Sequence, residues 1–331
     1  MSNKFERHVI SVEMPDGSIV KIPYFMKGEG EPVLYIQAAQ HGVELTGVYT
    51  IKLLMERINK QDISGTLILV PIANPLAVKW RRHFYKMELG EPYSSDHPHQ
   101  MNRLWPGRQD GNETERIVYA LYNNLVSKAD YVIDLHCWEM WRCGAALGLD
   151  WDKVSVDMCK YSLLKFISLR SKATFKGKLK GMISYVATEA GAHAITIEHS
   201  GQRWVFTNEA EKVCNGLMNI MRYIGLLEGE IIEPQIQFLL GRDPHVDIYA
   251  PQGDWILILS KSHGDKVSKG DLIAKVMSME TLEEKIIQSP IKGIVYEIGA
   301  TRPHVDTRPS EEVLVISKGE RYRIATIYEL P

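Results

Sequence analysis

Cysteine is scarce, with 4 in 331 residues, and Cys137, Cys143, Cys159 and Cys214 form no Cys-x-x-Cys pair. That excludes a dense disulfide framework and a cysteine-built metal cluster, and it fits reduced thiols in a cytoplasmic protein. Long apolar runs are missing too; none approaches the ~20 residues needed to span a bilayer. The first seven residues, Met1 to Arg7, are polar and lead into no apolar segment, so no secretory leader is expected. Nor is there a basic excess. The 39 Lys and Arg are matched by 41 Asp and Glu, for a net charge of -2. Neither nucleic acid nor an anionic membrane surface is an expected partner on that balance.

What the chain does have is a 45% hydrophobic composition. That suits one large domain plus a smaller one, because single cores rarely grow beyond about 250–300 residues. Residues 8–26 read as two strands around Pro15-Asp16-Gly17-Ser18, a turn in which proline fixes φ and glycine accepts a positive φ. A buried-type strand is expected over 33–38. Apolar residues at helical spacing (Val48, Ile51, Leu54, Met55, Ile58) predict a helix over 45–58, and 66–72 is a second buried strand. Strand, helix, strand at this spacing is a βαβ unit and predicts a parallel sheet in an α/β domain. A long loop-like stretch, 79–112, is rich in His, Arg, Pro and aromatics; stretches of that length are uncommon and often functional. The pattern then predicts a helix over 113–127, a strand over 130–136, at least one helix within 151–170, a short helix over 184–191, a strand over 192–198 and a helix over 209–227. Beyond about residue 240 no long helical pattern returns. Short strands, best at 255–259, 272–276, 286–287, 293–298 and 312–316, predict a small all-β unit. The expected division is 1–240 and 241–331.

The chemistry centres on Gln40-His41-Gly42-Val43-Glu44, where a strand ends and a helix begins. Imidazole nitrogen and carboxylate oxygen are zinc ligands, and this spacing lets both point into one small volume. His-x-x-Glu is common by chance, and a capping Glu beside a surface His is the plain alternative. A third ligand is expected at the carboxyl end of another strand, where open α/β sheets keep their sites. His136 meets that requirement. Asp134 shares its strand face, either orienting the site or solvated near the strand end. His41, Glu44 and His136 together offer two nitrogens and a carboxylate with a fourth position open, the pattern of a catalytic zinc site. Glu198, closing the strand over 192–198, is the favoured base, with Glu189 as rival. Asn102-Arg103 and Arg81-Arg82 lie in the long loop. An arginine can fork onto a carboxylate or polarise a carbonyl, and a surface ion pair is the alternative for each.

His41-Gly42-Val43-Glu44, Ala73-Asn74-Pro75, Asn102-Arg103-Leu104-Trp105-Pro106-Gly107, Asp134-Leu135-His136 and Thr196-Ile197-Glu198 follow one another as in the succinylglutamate desuccinylase/aspartoacylase family. Residues 30–225 resemble that family, a branch of the zinc carboxypeptidase-like fold. The resemblance implies a mixed, largely parallel sheet flanked by helices. It implies a zinc-dependent amidohydrolase that removes an acyl group from an N-acyl amino acid or related small molecule. One Zn2+ per chain would be held by His41, Glu44 and His136. Glu198 would be base and then proton donor. Asn102 and Arg103, with Arg81 nearby, would bind a substrate carboxylate. An arginine shortly after the Asn-Pro step would polarise the scissile carbonyl. Arg82 is the closest match, although its distance from Asn74 is not quite the usual one. Two features depart from the family pattern. The usual acidic residue before Asn-Arg is replaced by His99-Gln100-Met101, and the segment between Arg82 and Asn102 is long and carries His83, His97 and His99. Those histidines either shape the substrate pocket or belong to a solvated loop. Cys137-Trp138-Glu139-Met140-Trp141 could add an aromatic wall or pack in the core. A metallocarboxypeptidase acting on small peptides is the rival enzyme; a non-catalytic binding or carrier protein is the rival of another class. The expected partner is a small N-acyl substrate, and the expected assembly a homo-oligomer.

The C-terminal segment resembles a biotinyl/lipoyl-like barrel-sandwich through Ala250-Pro251-Gln252-Gly253-Asp254-Trp255, the stretch from Gly264 to Ala274, and Ser289-Pro290-Ile291-Lys292-Gly293. Carriers of that type place a lysine at a hairpin tip. Met277-Ser278-Met279-Glu280 has none there, and Lys275 and Lys285 do not match. An unmodified barrel is expected, either helping to cover the active site or mediating oligomerisation. Thr301 to Pro309 is an Arg- and His-containing loop, either near the pocket or plain surface.

Overall fold

The computed structural model of the protein describes residues 4–138, 141–299, 315–316 and 322–331. It divides into two compact units, one from 4–88, 94–138 and 144–240, the other from 89–93, 141–143 and 241–331 in its described parts.

In chain order the first unit contains β1 (Glu6–Glu13), β2 (Ile19–Glu29), β3 (Val33–Ala38), α1 (Thr46–Ile58), β4 (Gly65–Val70) and α2 (Pro75–Trp80). It continues with α3 (Glu113–Asn124), β5 (Tyr131–Trp138), β6 (Ala145–Leu149), α4 (Lys153–Tyr161), β7 (Phe166–Arg170), α5 (Ile183–Glu189), β8 (His193–Ser200), α6 (Thr207–Tyr223) and β9 (Phe238–Leu239). The nine strands form one mixed sheet in the order β1-β2-β4-β3-β5-β8-β6-β7-β9. The central strands β4, β3, β5 and β8 run parallel, as the βαβ pattern requires, while β6 is antiparallel to β8.

Alternation of side chains sends each strand's residues to opposite faces. Leu34, Ile36, Ala38, Ile133, Leu135, Ile195 and Ile197 pack against Ile51, Leu54 and Ile58 of α1 and Val213, Leu217 and Ile220 of α6. Each buried aliphatic side chain contributes about 1.5–3 kcal/mol of transfer free energy. The other face sets Tyr35, Val132 and Ala194 against Ile117 and Leu121 of α3 and Ile183 and Ala187 of α5. Gly47 lets α1 lie directly on the sheet, since a Cβ there would stand 2.9 Å from Leu135 Cβ.

The second unit contains β10 (His245–Tyr249), β11 (Trp255–Leu259), β12 (Lys266–Val267), β13 (Leu272–Ser278), β14 (Glu284–Gln288), β15 (Gly293–Ile298), β16 (Val315–Ile316) and β17 (Arg323–Glu329). They form two four-stranded sheets, β10-β17-β15-β12 and β14-β13-β11-β16, with every pairing antiparallel. One core, including Trp255, Leu257, Ile273, Val276, Val295, Ile324 and Ile327, draws on both sheets. The β13–β14 tip exposes Met279 and Leu282. Lys275 pairs with Glu284 at 2.7 Å, and Lys285 lies 4.6 Å from the Trp255 ring centre.

Several elements differ from expectation. The segment 151–170 holds both α4 and the strand β7. β6 was not expected either; its Ala145-Ala146-Leu147-Gly148-Leu149 sequence has no alternation, because the strand is buried on both faces. β10 and β17 add strands to the C-terminal unit beyond those anticipated. The strand expected over 312–316 is seen at Val315–Ile316, and its remainder lies outside the described residues, as does the loop from Thr301 to Pro309. No helix among the described residues is long and apolar enough to cross a membrane.

Candidate active site

On the second sheet face, polar residues gather at the carboxyl ends of β3, β5 and β8. β3 supplies Gln37, and β5 supplies Asp134 and His136. Parallel pairing puts Gln37 opposite Asp134 and His136 opposite Glu198 of β8. The turn after β3 then brings in Gln40, His41 and Glu44 ahead of α1. Gly42 is required in that turn, because a Cβ there would fall 2.1 Å from the Ala77 carbonyl oxygen and 2.5 Å from that of Arg82. Asn74 caps α2, accepting from the Ala77 N–H, and its side-chain amide donates to the Gln40 carbonyl at 3.0 Å. The Ala73-Asn74-Pro75 motif thus fixes the turn that carries His41.

His41, Glu44 and His136 are buried, and one ligand atom from each lies within 4.8 Å of the others. His41 Nδ1 stands 2.8 Å from Glu44 Oε1, and His136 Nδ1 stands 2.7 Å from Glu44 Oε2. The outer ring nitrogens are both engaged. His41 Nε2 donates to Gln100 Oε1 at 2.8 Å, and His136 Nε2 donates to Asp134 Oδ2 at 2.6 Å. Both inner nitrogens thus converge on the Glu44 carboxylate, contacts that a bound cation would replace. The three groups also couple through charge. Burial would raise the Glu44 carboxyl, but His41 and His136 hold it well below the usual range. Burial would lower His136, but Asp134 and Glu44 hold it well above.

A buried relay supports the cluster. Tyr35 donates its hydroxyl to Gln37 at 2.7 Å, Gln37 donates to Asp134 Oδ1 at 3.0 Å, and Gln40 donates to Asp134 Oδ2 at 2.6 Å. Trp105 Nε1 donates to Gln40 Oε1 at 2.9 Å. Asp134 thus orients the site rather than meeting solvent. Behind His136, the buried His199 bonds the His136 carbonyl through Nδ1 at 2.8 Å and Thr50 through Nε2 at 2.9 Å. Burial pushes that imidazole down to about 4.

Glu198 keeps some solvent contact but is crowded by protein. Burial pushes its carboxyl up to about 7, His136 opposing and the Glu44 charge adding. Glu189 stands elsewhere, exposed and 3.2 Å from Lys172. Asn102 is buried in a 3-10 turn, Met101–Arg103, with its amide nitrogen 3.3 Å from His136 Nε2 and its oxygen accepting from the Ile183 N–H. Gln100, which stands where the family's acid was expected, accepts from both His41 and the Asn102 N–H. Arg103 donates to the Asn102 carbonyl at 2.7 Å. Arg170 ends β7 inside the fold; burial lowers it, the Glu198 charge raises it and Arg103 lowers it.

The arginines at the end of α2 are placed differently. Arg81 is exposed and caps the helix in a left-handed conformation, and Arg82 donates to the Arg81 carbonyl at 2.9 Å. His83 is the residue that reaches the cluster. Its ring stacks on His41 at 4.2 Å, with Nε2 3.6 Å from Glu44 Oε1. His97 stacks on the buried Phe84 at 4.9 Å, and His99 bonds Thr114 at 2.9 Å. The loop histidines are packed rather than solvated. Of the proposed aromatic wall, Glu139 and Met140 lie outside the described residues, while Cys137 is buried and donates its N–H to Glu44.

The sequence pointed to the three donors, Glu198, Asn102 and Arg103. It missed Arg170, hidden in a segment read as helical, and the relay through Tyr35 and Gln37, which looked like ordinary strand. His83 was visible only as one histidine in an unusual loop.

Comparison with known proteins gives a consistent result. The profile described as the succinylglutamate desuccinylase/aspartoacylase catalytic domain matches residues 31–224. An N-alpha-acetyl-L-2,4-diaminobutyric acid deacetylase from Halomonas elongata is 28% identical over 279 residues, which are 79% of this chain and 75% of that protein. The product-bound ectoine utilization protein EutE (DoeB) from Ruegeria pomeroyi has a TM-score of 0.68 at 20% identity, covering 98% of this chain and 95% of that one. A succinylglutamate desuccinylase from a Silicibacter species has a TM-score of 0.70 at 19% identity, again covering 98% and 95%. At these identities the two structures show a shared fold.

Proposed function

Because the chain belongs to the succinylglutamate desuccinylase/aspartoacylase family, we propose that it is a zinc-dependent deacylase cleaving the amide of an N-acyl amino acid or a related small molecule. The observation that carries this reading is the buried His41–Glu44–His136 cluster, with both inner nitrogens turned onto one carboxylate beside Glu198. This donor set fits Zn2+, as two imidazole nitrogens and a carboxylate leave a position open. When bound, the ion would supply Lewis-acid polarisation of the carbonyl and make a water a competent nucleophile near neutral pH.

The protein's own groups do the rest. Glu198, in register with His136, takes a proton from the attacking water and returns it to the leaving amine. Its carboxyl, pushed up to about 7 by burial, is matched to both halves of that transfer. Arg103 and Asn102 hold the carboxylate of the amino acid, with the Arg170 guanidinium adding positive charge on the Glu198 side. Asp134 fixes which nitrogen of His136 faces inward. We assign this chemistry to 1–240 and read 241–331 as an unmodified barrel domain. Sedimentation of the purified protein tests the expected homo-oligomer.

The deciding experiment offers zinc-loaded protein a panel of N-acetyl-2,4-diaminobutyrate, N-acetylaspartate, N-succinylglutamate and short peptides. Release of free amine from at least one N-acyl amino acid is expected. Turnover of peptides alone would replace the deacylase by a metallocarboxypeptidase.

A further inference from the structure

A sheet edge is a row of backbone N–H and C=O groups without strand partners, and stable folds cover or blunt it. The nine-stranded sheet ends on β9 at one side and on β1 at the other. β9 is blunted by its length, two residues. β1 is not. It has eight residues, no proline, and pairs with β2 at eight consecutive positions without a bulge. Its charged residues stand only at its ends, Glu6 and Arg7 at one and Glu13 at the other. We propose that this edge binds the same edge of a second copy of the chain, antiparallel and centred on Ile10, so that Arg7 of each copy lies across from Glu13 of the other. Such pairing supplies the interface of the expected homo-oligomer, and it stands apart from the deacylase chemistry.

The ladder to β2 decides which backbone groups are available. Just past β1, the Met14 N–H donates to the Ser18 carbonyl at 2.8 Å. Alternation along an antiparallel pair therefore turns the backbone of Val12, Ile10 and His8 toward β2, and that of Glu13, Ser11, Val9 and Arg7 outward. The side chains of these four outward residues are exposed, whereas Ile10 and Val12 are buried. Arg116 of α3 donates to the Glu13 carbonyl at 3.1 Å, and that oxygen keeps a second lone pair. Continuous pairing must join outward residues to outward residues, which restricts the register to steps of two. Centred on Ile10, Arg7 meets Glu13 and Val9 meets Ser11, each twice by symmetry. Sliding by two residues sets Arg7 against Ser11, or Val9 against Glu13, and leaves charges unmatched. Within one chain Arg7 and Glu13 are about 20 Å apart at 3.4 Å per residue, and among the described residues neither side chain takes part in an ion pair. Across the paired edges their Cβ atoms come to about 5 Å. Val9, 39% exposed, is covered by the same pairing. Each copy uses one patch against itself, so the assembly closes as a two-fold dimer.

Sedimentation of the full chain over a range of concentrations, with hydrogen exchange alongside, tests this. A dimer is expected. The amides of Arg7, Val9, Ser11 and Glu13 should exchange more slowly as concentration rises, while those of His8, Ile10 and Val12 are protected throughout. Val9→Pro removes one outward N–H, a change that an edge strand accepts, and should leave a monomer. Glu13→Arg sets like charges opposite each other twice and should weaken the dimer about tenfold. Arg7→Glu combined with Glu13→Arg restores opposite charges and should restore the affinity. Circular dichroism checks that each variant is folded; if Val9→Pro is not, the charge reversals on exposed side chains decide alone. A wild type that stays monomeric would overturn the homo-oligomer and this interface together. A wild-type dimer would overturn this interface alone if its outward amides ignore concentration, if folded Val9→Pro still dimerises, if Glu13→Arg leaves it unmoved, or if the double reversal fails to rescue it.

Discussion

The two faces of the nine-stranded sheet are built from the same strands and differ in one respect. Toward α1 and α6, β3, β5 and β8 offer the core mainly aliphatic residues, which pack over Leu54 and Leu217, with His199 a buried polar exception bonded to Thr50 of α1. Toward α3 and α5, the face begins in the same way with Tyr35, Val132 and Ala194, then turns polar at the strand ends with Gln37, Asp134, His136 and Glu198. Buried polar groups cost stability unless each is paired. Here they are paired with one another in a relay that ends on two imidazole nitrogens and a carboxylate. One face thus carries stability. On the other, part of that stability is given up to hold a reactive constellation rigidly.

This contrast can be broken at graded depths. Glu198→Gln strikes the reactive face hardest: turnover should fall by about 10²–10⁴, while elemental analysis finds zinc retained and the melting temperature holds. Leu54→Ala strikes the aliphatic face. It should lower unfolding free energy by about 2–5 kcal/mol in a denaturant titration and leave kcat of the folded protein unchanged. Asp134→Asn sharpens the role of the relay: zinc affinity, measured by competition with a chelator, should weaken about 10–100-fold. Tyr35→Phe removes only the outermost hydroxyl and should cost about 1 kcal/mol of stability, with a smaller loss of turnover than Asp134→Asn. Equal effects of Leu54→Ala and Asp134→Asn on zinc affinity would erase the division between the faces.

Much of this was legible in the sequence because strand ends leave a mark there. His136 closes a strand that carries Val132, Ile133 and Leu135, and Glu198 closes the neighbouring one after Ala194, Ile195 and Ile197; parallel pairing brings such ends together without further information. His41 and Glu44 were readable because three-residue spacing at a strand-to-helix turn converges two side chains. What was not legible depends on packing between distant segments. Nothing local in Tyr35 or Gln37 separates a relay member from an ordinary strand residue; Asp134, 97 positions beyond Gln37, makes the difference. Arg170 was hidden because the short strand β7 follows α4 after a brief turn, and the joint segment reads as helical. His83 gained its place through the close approach at Gly42, a contact set by the absence of a side chain. Propensity also fails for β6, whose alanines and glycine occupy a strand only because burial on both faces demands small residues.

The most direct test of the central claim is a zinc titration into chelator-stripped protein, followed by calorimetry with turnover of an N-acyl amino acid measured in parallel. One ion per chain should bind, turnover should return in proportion to occupancy, and His41→Ala should abolish both. Full turnover by the stripped protein, or zinc binding that survives His41→Ala and Glu44→Ala unchanged, would contradict the account.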